Sequence, residues 1–235
     1  SWGPRLDGRK VALPSGFGAV VGRDSTDFVA YPDNVKDLFQ TGNIMQHNLA
    51  FEGSAGKSTA YRISVGYLGD KGVLENNKLD RYNVGLNLNS NLTDRLSAGI
   101  SMNYSLNRSW FTPRSWDLTG LPYQDAVGNQ LHYDPVVDNP IWSNKNNLYD
   151  DEINRIIGNV NFNYKLTNWL NAEYRVGVDR YDFFFSAYDQ IGARGGANTN
   201  ANQLGGIREL TNVNMNLNST LLLTGQKDVN KFLFN

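Results

Sequence analysis

The sequence contains no cysteine, which excludes a disulfide scaffold and a thiolate metal site. It also lacks any apolar run near the roughly eighteen residues that a membrane-spanning helix requires. Neither charge dominates, because 22 Lys and Arg residues face 23 Asp and Glu residues, and this excludes a strongly basic nucleic-acid-binding protein. The mean hydropathy of −0.47 fits a soluble protein, but also a membrane β-barrel whose strands alternate apolar and polar residues.

The most prominent feature of the sequence is the alternation of apolar and polar residues with a period of two. In one segment Leu96, Ala98, Ile100, Met102 and Tyr104 are separated by single serine, glycine or asparagine residues. Such alternation over about ten residues predicts a β-strand long enough to cross a bilayer when tilted. The pattern predicts eight strands, at roughly 43–53, 58–68, 80–90, 95–106, 154–166, 169–181, 210–223 and 229–235.

The predicted connections alternate between short turns and long links, as in outer-membrane barrels. The long extracellular loops are expected at 107–153 and 182–210, with strands filling the rest of 43–235. Residues 1–42, with three prolines, are predicted to be a loop region on the extracellular side that leads into the barrel. Tyrosines at the long-loop ends (Tyr67, Tyr82, Tyr104 and Tyr181) and Tyr164 and Trp169 at the short-turn ends suggest aromatic girdles.

Alternation alone leaves three architectures open. One is a small, self-contained outer-membrane barrel of about eight strands with a structural or adhesion role. Another is a soluble carbohydrate-binding β-sandwich, since a soluble antiparallel sheet also has one polar face. The third is a segment of a larger barrel, which we favour because the predicted inward set suits a wide, wet lumen. That set contains many asparagines together with Arg62, Glu173, Arg175 and Asp179.

Several motifs resemble the SusC/RagA-type TonB-dependent outer-membrane transporters. The opening residues Ser1, Trp2, Gly3, Pro4, Asp7 and Gly8 resemble the family signature SWGPrlDG. Further similar stretches, in the family's order, are 34–42, 61–64, 72–74, 82–83, 139–142, 154–160 and 166–170. The resemblance implies an all-β, antiparallel transmembrane barrel segment, about eight strands of a plugged barrel of about 22.

The resemblance also implies a function and partners. The function would be uptake of oligosaccharides or peptides across the outer membrane of a Gram-negative bacterium. The expected partners are a SusD-like surface lipoprotein, the TonB–ExbB–ExbD system acting through a plug region, and the remainder of the same barrel. Outer-membrane lipid and the barrel-assembly machinery would be further contacts.

Residues for catalysis or metal binding are not grouped in the sequence. His47 and His132 lie far apart, and Asp150-Asp151-Glu152 lacks the ligand spacing of a calcium loop. We therefore predict no enzyme activity, metal or cofactor.

Aromatic and arginine side chains of the first long loop are the candidate ligand-binding residues, because aromatic faces beside polar groups suit sugars and peptides. Packing of the loop onto itself or onto a lid explains them equally well. The candidates are Arg108, Trp110, Phe111, Arg114, Trp116, Tyr123 and Trp142.

Overall fold

A computed structural model of the chain describes residues 5–12, 25–30, 36, 39–111, 140–193, 204–229 and 232–234. Its eleven strands are β1 Lys10–Ala12, β2 Ser25–Asp27, β3 Asn43–Ala55, β4 Thr59–Lys71, β5 Lys78–Asn91, β6 Leu96–Phe111, β7 Leu148–Lys165, β8 Leu170–Asp189, β9 Gly206–Gly225, β10 Lys227–Val229 and β11 Phe232–Phe234. One helix, α1, spans Pro140–Asn146. Among the described residues, no helix is long and apolar enough to cross a membrane.

The long strands form one antiparallel sheet in the order β3-β4-β5-β6-β7-β8-β9. Its register confirms the phase predicted from the alternation, since each strand places its apolar residues in line with those of its neighbours. One such row runs through Tyr61, Leu88, Ile100, Val160 and Val176. The next row, which faces the other way, runs through Arg62, Asn87, Ser101, Asn159 and Gly177. We call these two sides the apolar face and the polar face.

The strands extend further than alternation predicts at one end. β6 continues to Phe111, β7 begins at Leu148, and β8 and β9 extend to Asp189 and Gly206. The connections therefore span 112–147 and 190–205, instead of the predicted 107–153 and 182–210. Backbone hydrogen bonding needs no alternating side chains, so the ladder continues where the polarity pattern ends.

The predicted eighth strand at 229–235 is wrong. Lys227–Val229 and Phe232–Phe234 pair with each other as a separate two-stranded sheet and do not join β9. Alternation indicates an extended backbone, but it does not identify the partner strand.

The strand ends joined by short turns all lie at one edge of the sheet, and the strand ends joined by the longer connections lie at the other, as predicted. Two of the short turns have the same construction. In the first, Leu92 and Thr93 donate their N–H groups to the carbonyl of Leu96, at 2.8 and 3.1 Å. In the second, Leu166 and Thr167 do the same to Leu170, at 3.0 and 3.1 Å. We call this edge the short-turn edge and the opposite one the long-loop edge.

The segment before β3 also meets the long-loop edge. Phe39 forms an isolated bridge with Leu74, and the Gln40 side chain donates to the carbonyls of Gly72 and Leu74 at 3.0 and 2.8 Å. Further upstream, β1 and β2 pair as a small hairpin.

Candidate functional site

The apolar face carries a continuous band of exposed hydrophobic side chains. Val65 is 45% exposed and Ile100 is 39% exposed, while Leu86 and Val176 are half-buried. On β6 the band runs from Leu96 to Leu106, roughly 33 Å along the strand or about 25 Å once a tilt of about 40° is included. This is the height of the lipid-facing band of an outer-membrane barrel.

Hydrogen-bonded tyrosines mark the upper limit of this apolar band. The hydroxyl of Tyr67 donates to Asp80 Oδ1 at 2.8 Å, and the hydroxyl of Tyr104 donates to Asn154 Oδ1 at 2.8 Å. Tyr82 packs against Tyr67, with 5.1 Å between ring centroids. Each ring therefore adjoins apolar neighbours, whereas its polar tip reaches the residues above, as expected at a membrane–water interface.

In the cross-strand rows of these tyrosines and beyond them, the same face becomes polar on β5 to β8. The residues there, which we call the polar belt, are Asp80, Arg108, Glu152, Asn154, Arg180 and Asp182. Arg108 and Glu152 form a salt bridge at 2.7 Å, and Asn154 donates to Glu152 at 2.8 Å. On β5 to β8 the face thus changes from apolar to mainly polar near the tyrosines, with Trp110 and Phe184 following further along the same face.

The fourth predicted girdle tyrosine does not belong to this set. Tyr181 lies on the polar face, opposite Arg155, and stacks on Phe183 with 6.5 Å between ring centroids. The prediction from its place near a loop end was wrong, because Val176 and Val178 fix the apolar face of β8 at the even-numbered positions.

The polar face carries paired charges among asparagines. Arg155 holds Asp179 through two hydrogen bonds, at 3.0 and 2.7 Å, and Arg62 pairs with Glu52 at 2.7 Å. β9 adds an alternate run of Asn212, Asn214, Asn216 and Asn218. Exposed pairs of this kind contribute little to stability. They indicate that this face meets water and is not a buried core.

The described hydrophobic core lies at the long-loop edge. Tyr149, Ala187 and Ala193 are buried there, together with Asn147 and Asp189. The hydroxyl of Tyr149 donates to Asp189 Oδ1 at 3.1 Å. Phe111 and Phe185 flank Tyr149 on the polar face, with their ring centroids 6.1 and 6.2 Å from its own.

Helix α1 ties the connections at this edge together through amide side chains. Asn144 donates to the carbonyl of Glu75 at 2.6 Å, and Asn76 donates to the carbonyl of Asn144 at 2.8 Å. Asn147 accepts from the N–H of Gln190 at 3.1 Å. Helix α1 and the residue after it therefore link the connection 72–77 to the start of 190–205.

The structure separates the predicted ligand-binding residues. Arg108 and Trp110 are on β6 and point to the apolar side, whereas Phe111 points to the polar side. Trp142 lies half-buried in α1. Arg114, Trp116 and Tyr123 lie outside the described residues. Successive residues of a strand point to opposite faces, so counting along β6 from Ile100 would have placed Trp110 on the apolar face and Phe111 on the polar face.

Sequence reasoning overlooked an aromatic stripe on the polar face of β8. Tyr181, Phe183 and Phe185 alternate along the strand and approach Phe111 and Tyr149. The spacing of these aromatics by two residues was the available signal.

Of the opening residues that resemble the SusC/RagA signature, Asp7 and Gly8 are described and Ser1, Trp2, Gly3 and Pro4 are not. Asp7 Oδ1 accepts from the N–H of Arg9 at 3.2 Å. Gly8 has a φ of 80°, which favours glycine, and its N–H donates to the carbonyl of Phe28 at 3.0 Å. Both residues therefore shape the entry to the β1–β2 hairpin.

The described residues contain no group of three or more acidic or histidine side chains that could hold a metal ion. The three acidic residues 150–152 do not share one face of β7. Asp150 and Glu152 lie on the apolar side of the sheet, and Asp151 lies on the polar side.

Comparison with solved structures identifies the architecture. No protein-family model and no curated protein sequence matches the chain. The RagAB peptide importer in its "closed-closed" state aligns over 87% of this chain with a TM-score of 0.69 and 18% identity. The RagAB peptide transporter and the "open-open" importer each align over 85%, with TM-scores of 0.67 and 0.65 and identities of 18% and 19%. The sheet is a segment of a β-barrel wall.

The chain spans 24% of the length of the matched chain in each of these three structures. At these identities the likeness shows the fold alone. It agrees with the antiparallel barrel segment expected from the sequence.

Proposed function

We propose that this chain forms part of the wall of a SusC-type, TonB-dependent importer in a bacterial outer membrane, which takes up oligosaccharides or peptides. Strands β3 to β9, within residues 43–225, would cross the membrane, and residues 1–42 would lie on the extracellular side. The chain itself would have no catalytic role.

The observation that carries this proposal is the difference between the two faces of the sheet. An apolar band about 25 Å high ends at tyrosines whose hydroxyls bond to a polar belt, whereas the other face is rich in asparagine and ion pairs. Lipid outside and water inside would satisfy both faces. A soluble sandwich would instead cover the apolar side with a second sheet.

The open edges of the sheet favour a larger barrel over a small, self-contained one. In the described part of the chain, β3 and β9 each pair with one neighbouring long strand only. An unpaired strand edge in hydrocarbon leaves N–H and C=O groups without partners, at several kcal/mol each. The remainder of the same barrel would pair with these two edges.

The proposed partners follow from the same assignment. A SusD-like lipoprotein would cover the long-loop edge, and TonB–ExbB–ExbD would act through a plug region. Barrel-assembly machinery would insert the strands, and outer-membrane lipid would surround the apolar band. The resemblance of the sequence to SusC/RagA transporters supports each of these expectations.

Uptake by the complete transporter that contains this chain is the decisive test. We expect deletion of the gene to abolish uptake of one labelled cargo class, either oligosaccharides or peptides, and complementation to restore it. Separately, the purified protein should require detergent and migrate as a heat-modifiable band. A chain that stays soluble without detergent would support the sandwich instead, and a compact barrel refolded from this segment alone would support the small barrel.

The cargo site is proposed to include the aromatic and arginine residues of the connection 112–147. We expect Trp116→Ala to weaken cargo binding about tenfold, since a stacking aromatic at a binding site contributes on the order of 1 kcal/mol or more. Trp169→Ala at the short-turn edge is the matched control and should leave binding unchanged. Equal cargo affinity in Trp116→Ala and the wild type would remove Trp116 from the site.

A further inference from the structure

Four asparagines occupy successive positions of the polar face on β9, the last strand of the sheet. Asn212, Asn214, Asn216 and Asn218, which we call the asparagine ladder, all lie on this face and are exposed. Because neighbouring members are two residues apart, they are spaced about 6.6 Å along the strand, and the ladder spans about 20 Å.

The asparagine ladder lies beside the aromatic stripe of β8. Tyr181 pairs with Asn214, and Phe183 pairs with Asn212, in the register of the two strands. A pocket of about 310 Å³ opens here, at the lower end of the range for small-molecule sites. Its lining residues are Arg155, Asp179, Tyr181, Asn212, Asn214 and Asn216.

The charges in this pocket already neutralise each other. Arg155 donates two hydrogen bonds to Asp179, at 3.0 and 2.7 Å. The amides are held less tightly, since Asn216 donates to Asn214 at 3.3 Å, beyond the usual range of roughly 2.7–3.2 Å. The site therefore suits a neutral ligand that offers both hydrogen-bond donors and acceptors.

The main chain of an extended peptide presents such groups at the same spacing. In an extended chain the N–H and C=O groups of one residue point to the same side, as do those of the residue two positions further on. An asparagine amide accepts from such an N–H group through its oxygen and donates to such a C=O group through its NH₂. Four asparagines would therefore bind the alternate residues of a segment of about seven.

The aromatic stripe would contact the side chains of the same peptide residues. Residues two positions apart in an extended chain direct their side chains to one side. The stripe flanks the ladder on the β8 side, so these side chains would pack on Tyr181 and Phe183. The main-chain bonds would accept many sequences, whereas the aromatic contacts would favour apolar side chains at every second position.

The height of the asparagine ladder suits cargo that enters from the long-loop edge. Asn218 adjoins Ser219, which lies in the cross-strand row of Ile100 near the middle of the apolar band. Asn212 lies beyond the row of Tyr104, at the upper limit of that band. The ladder thus runs from the middle of the sheet toward the long-loop edge.

We propose that the asparagine ladder binds the main chain of an extended peptide inside the barrel, with alternate apolar side chains packed on the aromatic stripe. The inference rests on the proposed function, because it requires the polar face to line the lumen. It selects peptides from the two proposed cargo classes.

Peptides methylated on selected backbone nitrogens test this mode of binding on the complete, wild-type transporter in detergent. The parent probe is a fluorescently labelled heptapeptide with leucine at its four odd positions and serine between them. We expect methylation of the third and fifth nitrogens, which face the ladder, to weaken binding at least tenfold, because each loses a donor. Methylation of the second and fourth nitrogens should change affinity less than threefold. Fluorescence polarisation measures all three affinities.

Side-chain variants test which residues provide the contacts. Asn212→Ala/Asn214→Ala should bind the parent peptide at least tenfold more weakly and no longer distinguish the two methylated peptides. The matched control, Asn87→Ala/Asn89→Ala, removes two exposed, alternate asparagines from the polar face of β5 and should bind as the wild type.

No binding of the parent peptide, equal binding of the two methylated peptides, or wild-type affinity in Asn212→Ala/Asn214→Ala would overturn the peptide site. Heat-modifiability and uptake of labelled oligosaccharides, measured on the same preparations, keep the two proposals apart. A transporter that imports only oligosaccharides contradicts the peptide site alone, whereas a protein that needs no detergent contradicts the barrel assignment itself.

Discussion

A charge placed at increasing depth on the apolar face tests whether that face meets lipid. Ile100 is four residues above the start of β6, about 13 Å along the strand and about 10 Å in height after tilting. It therefore lies near the middle of the apolar band. Arginine at the bilayer midplane of a barrel costs about 2–4 kcal/mol, and the cost falls to about 0–1 kcal/mol near the interfaces.

We expect Ile100→Arg to lower the free energy of unfolding by about 2–4 kcal/mol, and Leu106→Arg, at the top of the band, by at most about 1 kcal/mol. Asn103→Arg is the control on the polar face, where Asn103 is exposed, and should change stability by less than about 0.5 kcal/mol. The measurement is denaturant unfolding of the complete barrel in phospholipid vesicles, followed by tryptophan fluorescence.

The test depends on the differences in unfolding free energy among the Ile100→Arg, Leu106→Arg and Asn103→Arg variants. Equal losses for Ile100→Arg and Asn103→Arg would mean that the two faces do not differ in solvent. Losses that do not decrease from Ile100 to Leu106 would contradict a bilayer with a midplane near Ile100.

Two further predictions concern the upper part of the sheet. Tyr67→Phe removes the hydroxyl that donates to Asp80 and should cost about 0.5–1.5 kcal/mol in the same unfolding assay, whereas a neutral result would show that this bond does not anchor the ring. Asn147→Ala removes the acceptor for the Gln190 N–H and a buried amide, and should cost about 1–3 kcal/mol. Faster hydrogen exchange at Gln190, with unchanged exchange in the strands of the apolar band, would check that loss, and unaltered exchange there would contradict it.

Much of the fold is predictable because one physical rule governs each spanning strand. Alternation at Leu96–Tyr104 fixes the strand and its phase, and the register then follows from matching apolar rows. The repeated Leu-Thr turns at 92–96 and 166–170 fix the short connections. Beyond the apolar band this rule no longer applies, so the upper ends of β6 and β8 could not be placed.

The candidate site was less predictable for the same reason. Trp110 and Phe111 were grouped by proximity in the sequence, although consecutive residues of a strand point in opposite directions. The contact of Asn144 with Glu75 joins residues far apart in the chain and follows no local pattern.

The amide contacts of helix α1 have a mechanical consequence. Asn144 binds the connection 72–77, which joins β4 to β5, and Asn147 binds the start of 190–205, which joins β8 to β9. Because of these bonds, a displacement of α1 would affect the ends of four strands. A partner that docked on this side and displaced α1 would therefore act on both connections, and through them on the ends of β4, β5, β8 and β9.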